Sequence, residues 1–206
     1  MQLVLGTNNR KKGLELADLL APEGFELITL ADISSAIEVA ETGETFSANA
    51  ALKACEQAKH LKRWVLGEDS GLAVDVLKGA PGVYSARFSG PSATDESNNR
   101  LLIEKLEKTP LEKRTAHYVC HATLSDPDGN IQAESEGYCH GRIIFEAAGT
   151  NGFGYDPFFE IVEYHRTFGQ LGPTVKAALS HRARAVRQLI PTMLRLVDTG
   201  VWRSTK

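Results

Sequence analysis

The sequence predicts an α/β fold in which a mixed β-sheet carries helices on both faces. Strand-like apolar runs alternate with segments of helical spacing along the 206 residues. One antiparallel hairpin is predicted within residues 115–139, so the sheet cannot be purely parallel. A composition with 42% hydrophobic and 24% charged residues is typical of a globular protein that buries a core.

The first 77 residues are predicted to contain four strands and two helices. Apolar runs predict strands over 2–6, 25–30, 64–67 and 72–77. One helix follows a polar loop at 7–12, and the other is predicted over 46–60 from an apolar stripe of Ala48, Ala51, Leu52, Cys55 and Ala58. Glu68-Asp69-Ser70-Gly71 is predicted to form an acidic turn between the last two strands.

The rest of the chain is predicted to hold two helices and a hairpin. The turn chemistry of Asp126-Pro127-Asp128-Gly129 predicts the hairpin connection. The predicted elements are a helix from Thr94 to about 107, strands over 115–124, 131–139 and 141–146, and a helix from about 175 that is kinked at Pro191. We expect a single domain over residues 1–197, followed by a tail over 198–206.

Charge and hydropathy narrow the class of protein. A net charge of −3 disfavours non-specific nucleic-acid binding, which needs a basic surface. No apolar run approaches the roughly 20 residues that span a bilayer, and the N-terminus has no signal-peptide pattern. Three widely spaced cysteines without a C-x-x-C pair are typical of reduced thiols. We therefore expect a cytoplasmic enzyme or binding protein with neither nucleic-acid nor membrane partners.

Two segments have the chemistry of a polyphosphate and magnesium site. The first, Thr7-Asn8-Asn9-Arg10-Lys11-Lys12, combines a predicted helix N-terminus with three cations, which suits phosphate binding, although an ordinary polar loop explains it equally well. The second is Glu68-Asp69, because Mg²⁺ takes one or two carboxylates together with substrate phosphate oxygens. A solvated acidic turn is the alternative for that pair.

Two further segments could recognise a base. Asn151-Gly152-Phe153-Gly154-Tyr155-Asp156-Pro157 offers glycines for close backbone approach and two rings for stacking, or it is a core-packing loop. Lys176 and Ser180-His181-Arg182 offer donors to a base carbonyl or a phosphate, or they lie on a surface helix. The six histidines show no zinc-binding spacing.

Together, these segments resemble the inosine triphosphatase (XTP/dITP diphosphatase) family of purine nucleoside triphosphate pyrophosphatases, over residues 2 to about 196. Seven ordered motifs carry the resemblance. They are Thr7-x-Asn9-x-x-Lys12; Glu41-Thr42-Gly43-x-Thr45-Phe46 with Asn49-Ala50 and Lys53-Ala54; Asp69-Ser70-Gly71-Leu72; Gly79 to Arg87; Ala93-Thr94-Asp95; Gly152 to Pro157; and Ser180-His181-Arg182.

The resemblance implies a two-lobed fold in which an elongated mixed sheet forms the floor of a cleft between the lobes. It also implies a homodimer that uses Mg²⁺ to hydrolyse ITP, dITP and XTP to the monophosphate and pyrophosphate, removing them from the nucleotide pool. By position, Thr7, Asn8, Asn9, Arg10, Lys11, Lys12, Lys53 and Ser70 would contact the phosphates. Phe153, Gly154, Tyr155, Asp156, Lys176, His181 and Arg182 would shape the base pocket, with His181 or Arg182 near the purine 6-oxygen. Asp69 would be the general base and a metal ligand.

The chain departs from the family pattern in two places. Ala40 stands where the family has a metal-binding acid, so Glu41 is predicted to take its role, with Glu38 and Glu68 as alternatives. The acidic stretch expected ahead of the last helix is missing at 169–174. Two other functions therefore stay open: a purine-nucleotide-binding protein with impaired catalysis, and a related pyrophosphatase for other modified nucleotides.

Overall fold

The computed structural model describes Met1–Trp202, so residues 203–206 of the predicted tail lie outside the described residues. Within that range the strands are β1 (Gln2–Leu5), β2 (Glu26–Thr29), β3 (Val65–Val74), β4 (Thr115–Ser125), β5 (Ile131–Ile143), β6 (Phe159–Ile161) and β7 (Arg166–Thr167). The α-helices are α1 (Arg10–Leu20), α2 (Phe46–Leu61), α3 (Asp95–Leu106), α4 (Pro173–Leu179) and α5 (His181–Asp198).

The strands form one mixed sheet in the order β2-β1-β3-β4-β5-β6-β7. β1 pairs in parallel with β2 and β3, whereas β6 pairs antiparallel with both β5 and β7. The predicted α/β class with a mixed sheet is confirmed. No helix in the described part of the chain is both long and apolar enough to cross a membrane.

The chain divides into two compact units. The first comprises Met1–Ser70, Cys120–Gly137 and the chain from His181 onward, and the second comprises Gly71–Val119 and Tyr138–Ser180. In the first unit α1 packs against α5, and the core includes Leu3, Leu16, Val186, Leu189 and Met193. The core of the second unit includes Leu102, Leu106, Ile143, Phe159 and Phe168. Each unit therefore buries apolar side chains of its own.

Two predicted breaks in strands are wrong. Residues 65–74 form the single strand β3, so Glu68, Asp69 and Ser70 lie in mid-strand and not in a turn. Residues 131–143 likewise form the single strand β5, which absorbs the start of the separate strand expected over 141–146. A local Ser-Gly or Gly signal favours a turn, but pairing with neighbouring strands overrides it.

Two helix predictions also need correction. The final helix is two helices, because Ser180 has extended backbone (φ −65°, ψ 154°) between α4 and α5. Pro191 lies inside α5, and the kink there stays a prediction. In α2 only Ala58 of the predicted stripe is buried, and the other buried side chains are Asn49, Ala50, Ala54 and Gln57.

The first residues of the predicted tail are packed. The main-chain N–H of Trp202 donates to Leu196 O at 2.8 Å, and its ring stacks on Trp64 with the ring centroids 4.2 Å apart. Phe25 lies against the same indole, with centroids 5.4 Å apart. The sequence pattern suggests a tail because few apolar residues follow α5, yet the Trp202 ring is buried in the first unit.

Candidate active site

Two consecutive carboxylates are buried in the middle of β3. Glu68 is 1% exposed and Asp69 is 5% exposed. Successive side chains of a strand point to opposite faces, so the two carboxylates meet different partners. The buried charges are compensated by cations from other parts of the chain, which is the condition for burying a carboxylate at all.

Gly67 brings helix α2 close to these carboxylates. A Cβ at this position would lie 2.5 Å from Ala50 O and 2.6 Å from Ala54 N, so only glycine permits this packing distance. The small residues Ala50 and Ala54 form the helix face that meets the strand. Asn49 and Lys53, on the same side of α2, thereby come within reach of Asp69.

Asp69 is held by two donors from α2. Lys53 Nζ lies 2.9 Å from Asp69 Oδ1, and Asn49 Nδ2 donates to Asp69 Oδ2 at 3.2 Å. Burial raises the pKa of Asp69 above its ordinary value, even though Lys53 and Lys12 act to lower it. The carboxylate is thus a somewhat stronger base than an exposed aspartate, and its orientation is set by hydrogen bonds.

Asn49 is a site residue to which the sequence analysis assigned no role. Its side chain is fully buried, and its Oδ1 accepts from Gly43 N at 2.8 Å. The amide therefore joins the Thr42-Gly43 loop to Asp69. A buried amide needs a hydrogen-bond partner, but the predicted apolar stripe of α2 does not include Asn49, so its role was not evident from the sequence.

Lys53 lies between the two carboxylates that the sequence nominates as metal ligands. Its ammonium is 3.2 Å from Glu41 Oε1 and 2.9 Å from Asp69 Oδ1. Burial lowers the pKa of Lys53, but the carboxylates of Asp69, Glu68 and Glu41 outweigh burial and raise it. One cation already bridges these oxygens, so their chemistry fits a hard divalent ion. Within Met1–Trp202 there is no group of three or more His, Cys, Asp or Glu side chains that could hold a metal.

Glu68 is the centre of a second ion-pair network. Lys12 Nζ lies 2.9 Å from Glu68 Oε1, and Arg182 Nη2 lies 3.4 Å from Glu68 Oε2. The thiol of Cys120 lies 3.5 Å from the same Oε2. Burial raises the pKa of Glu68, but Arg182, Lys12 and Lys53 overcome this effect and hold the pKa well below its ordinary value. Glu68 is therefore an ionised, structural carboxylate.

Arg182 is almost fully buried, at 1% exposure. Its guanidinium pairs with Glu15 and with Glu68, and its Nη2 donates to Ser70 Oγ at 2.9 Å. The proposed contact of Arg182 with a purine 6-oxygen stays a prediction. Glu15, which the sequence analysis did not single out, is the partner that brings α1 to this arginine. The neighbouring His181 is also buried at the start of α5.

The loop at residues 7–12 differs from the predicted phosphate cradle in one respect. Asn9 caps α1, and its Oδ1 accepts from Lys11 N at 3.0 Å and from Lys12 N at 3.2 Å. These two N–H groups are therefore engaged by the cap. Asn8, Arg10 and Lys11 are exposed, so the cationic side chains remain the feature suited to phosphate.

In the second unit, Asp156 organises the glycine-rich turn at 152–157. Its Oδ2 accepts from Phe153 N at 2.8 Å and from Lys176 Nζ at 2.6 Å. The Lys176 ammonium also lies 4.6 Å from the centre of the Phe153 ring. Phe153, Asp156 and Lys176, which the sequence predicts to share one base pocket, therefore lie in contact in the structure.

Tyr155 differs from the other members of this turn. It is 4% exposed, lies in the core of the second unit, and donates its hydroxyl to Ser85 O at 2.8 Å. Burial raises the pKa of the Tyr155 phenol. The expectation that both rings of the turn can stack on a base is thus corrected, because core packing occupies Tyr155 and only Phe153 is partly exposed.

Known proteins are similar to this chain over nearly its whole length. A dITP/XTP pyrophosphatase of Rhodopirellula baltica is 59% identical over 198 residues, which cover 96% of this chain and 95% of that protein. The structure of a HAM1 protein from Coxiella burnetii has a TM-score of 0.85 at 35% identity, covering 95% of this chain and 99% of that one. A nucleoside-triphosphatase / dITP/XTP pyrophosphatase from Mycobacterium abscessus has a TM-score of 0.74 at 42% identity, covering 93% and 100%.

The model of the Ham1 family matches residues 3–192. With the buried carboxylates of β3 and their cations in place, and with relatives this similar along the whole chain, the protein belongs to the Ham1 family.

Proposed function

We propose that the protein is a pyrophosphatase that hydrolyses ITP, dITP and XTP to the monophosphate and pyrophosphate, removing these nucleotides from the pool. The observation that carries the proposal is the oriented, buried Asp69 carboxylate among lysines, in a chain whose relatives bear the name dITP/XTP pyrophosphatase. A site that gathers lysines around an oriented carboxylate suits hydrolysis of a polyanion.

Asp69 is the proposed general base. Its carboxylate accepts a proton from water as the water oxygen bonds to the α-phosphorus, and the bond from that phosphorus to the bridging oxygen breaks to release pyrophosphate. The raised pKa of Asp69, which burial causes, favours this proton transfer. Asn49 keeps the carboxylate in one orientation during the step.

The lysines are proposed to bind the phosphates. Lys12 and Lys53 are the cations nearest the β3 carboxylates, and exposed Arg10 and Lys11 add positive charge at the start of α1. A triphosphate carries about four negative charges, so several cations are needed to neutralise it and the departing pyrophosphate.

Asp69 and Glu41 are the proposed ligands of Mg²⁺. Carboxylate oxygens are the donors that this ion prefers, and it usually takes only one or two of them with phosphate oxygens and water. When bound, the ion supplies charge neutralisation to the phosphate oxygens. Glu41 compensates for Ala40, because Glu41 is the acid of that loop that lies against Lys53.

Phe153 and Lys176 are the proposed recognition elements for the base. The ring offers a stacking surface, and the ammonium donates to an acceptor such as a 6-oxygen. Adenine carries a 6-amino donor at that position, and two facing donors would leave a buried group unpaired, at about 1–3 kcal/mol. His181 and Arg182 belong to the first unit, and their part in base recognition stays a prediction.

The decisive assay measures pyrophosphate release with Mg²⁺ from dITP, XTP, dATP, dGTP and modified pyrimidine nucleotides. We expect rapid turnover of dITP and XTP and slow turnover of the others. Equal rates on ordinary nucleotides would refute the specificity, and binding of dITP without hydrolysis would favour the nucleotide-binding alternative. We further propose that the protein is a cytoplasmic homodimer. Light scattering after gel filtration tests the oligomeric state.

Replacing the general base tests the mechanism within that assay. Asp69→Asn keeps the shape of the side chain but cannot accept the proton, so kcat should fall by roughly 10²–10⁴-fold. Circular dichroism checks that the fold is retained. Near-normal turnover of a folded Asp69→Asn protein would remove this residue from its role.

A further inference from the structure

Helix α3 holds the glycine-rich turn of the second unit by hydrogen bonds to a single residue, Gly154. The main-chain N–H of Gly154 donates to Asp95 Oδ2 at 2.9 Å. Asn99 Nδ2 donates to the carbonyl oxygen of the same Gly154, also at 2.9 Å. Both polar groups of one residue are therefore bound by two side chains of one helix.

The sequence and the helix geometry make this arrangement rigid. Asp95 and Asn99 are four residues apart, so their side chains lie on the same face of α3. The helix begins at Asp95 because Thr94 and Ser97 form a capping box. Asn99 is 7% exposed, so neighbouring atoms restrict the rotation of its amide. The Asp95 Oδ2 and Asn99 Nδ2 atoms that bond to Gly154 are thus held in fixed positions by the helix.

The bound residue sits where the turn sets the direction of Phe153. Gly154 has a left-handed backbone with φ +61°, which glycine adopts without strain. On one side of it, the Phe153 ring lies 4.6 Å from the Lys176 ammonium. On the other side, Tyr155 is anchored to Ser85 O. A rotation of the peptide groups of Gly154 would therefore move the Phe153 ring relative to Lys176.

We propose that Asp95 and Asn99 are positioning residues for purine discrimination. They hold Gly154 so that the Phe153 ring and the Lys176 ammonium meet the base in one fixed geometry. The inference rests on the proposed function. It predicts an effect on base recognition and not on the hydrolytic step, because the contacts that orient Asp69 come from Asn49 and Lys53.

Kinetics of variants with dITP and dATP test the proposal. Asp95→Ala and Asn99→Ala each remove one bond to Gly154. We expect the KM for dITP to rise roughly tenfold and kcat to stay within about twofold, which is the pattern for lost uniform binding. The preference for dITP over dATP should fall as well. Asp95→Asn keeps an acceptor oxygen for the Gly154 N–H and should restore near-normal values.

Asn98→Ala is the matched control. Asn98 is the adjacent buried asparagine of α3, and its amide bonds to Ser89, Ala86 and, at 3.4 Å, Ser85 O, but not to Gly154. Thermal unfolding of all variants reports any general loss of stability. Asn98→Ala should lower the melting temperature without changing the KM or the nucleotide preference.

The outcomes separate this proposal from the proposed function. A wild-type protein that does not hydrolyse dITP refutes the proposed function. If the wild-type protein is active, an unchanged KM in both alanine variants overturns the positioning role. A fall in kcat alone, or the same change in KM from Asn98→Ala, also overturns it. Asp95 is exposed, so Asp95→Ala decides the question even if Asn99→Ala does not fold.

Discussion

Lys53 contacts both carboxylates that are proposed to bind Mg²⁺, at 3.2 Å from Glu41 and 2.9 Å from Asp69. An ammonium and a divalent cation cannot occupy the same place between these oxygens. Binding of the metal should therefore move Lys53 away from the carboxylates and make its charge available to a phosphate. Lys53 would thus pair with the carboxylates when nucleotide is absent and with a phosphate when nucleotide is bound.

Replacing Lys53 by methionine should accordingly strengthen the binding of metal alone. Without nucleotide, the Kd for Mn²⁺ measured by calorimetry should fall by roughly tenfold, or about 1.4 kcal/mol, because the competing cation is gone. Turnover of dITP should fall in the same variant. Lys59→Met, an exposed lysine on the same helix, is the control. Weaker or unchanged Mn²⁺ binding in Lys53→Met would contradict the competition.

Arg182 is the residue on which the second ion-pair network depends. Replacing it by methionine leaves Glu15 and Glu68 without their shared cation, although Lys12 still pairs with Glu68. Removing one partner of a buried ion pair typically destabilises a protein by about 3–5 kcal/mol. Urea denaturation at pH 7 measures this loss. Arg195→Met changes an exposed arginine of the same helix and should shift the unfolding free energy by less than about 0.5 kcal/mol. Equal stabilities of the two variants would refute the structural role of Arg182.

At the scale of elements, the hairpin between β4 and β5 is set by Asp126. Its Oδ1 accepts from Asp128 N and Asn130 N, both at 2.9 Å, and its Oδ2 accepts from Gln132 Nε2 at 2.7 Å. The turn that the sequence predicted is confirmed, and this carboxylate is what closes it. Burial raises the pKa of Asp126, but these donors outweigh burial and lower the pKa below its ordinary value.

The hydrogen bonds of Asp126 give the hairpin a pH dependence. A folded-state pKa below the unfolded value means that the stabilisation is complete above the unfolded pKa and is lost as the pH falls through the folded one. Asp126→Asn should lower the unfolding free energy by about 1 kcal/mol at pH 7, and this difference from wild type should shrink below about pH 4. Asp128→Asn, at an exposed position, should do little. A difference that grows on acidification would contradict the assignment.

At the scale of the whole molecule, the first unit is assembled from three separate stretches of chain. Trp202 joins the last stretch to the first, because its ring stacks on Trp64 and its Nε1 donates to Gln2 O at 3.4 Å. It is 7% exposed, which makes the end of the described chain part of the core.

Removing this indole should therefore destabilise the first unit. Trp202→Ala deletes a buried aromatic side chain, a change that typically costs about 3–5 kcal/mol. Urea denaturation followed by circular dichroism measures the effect. Val201→Ala, at 53% exposure, is the control and should change stability by less than about 0.5 kcal/mol. A Trp202→Ala protein as stable as the control would show that the packing of the tail is dispensable.

The sequence by itself determined the fold class, the order of most elements and the family. Hydrophobic periodicity and turn chemistry are local properties, so β1, α3 and the β4–β5 hairpin could be predicted from short stretches of residues. The motifs also nominated Asp69, Lys53 and Lys12 together, although the distances among them are not encoded in any one stretch.

Only the tertiary structure decided that Glu68 and Asp69 lie in a continuous strand and that Tyr155 belongs to the core. An acidic Ser-Gly segment favours a turn locally, but cations from residues 12, 53 and 182 neutralise its carboxylates and let the strand continue. The roles of Asn49, Glu15, Asp95 and Asn99 were hidden for the same reason. Each depends on a partner distant in sequence, and a buried polar group is only as stable as the partner that the fold brings to it.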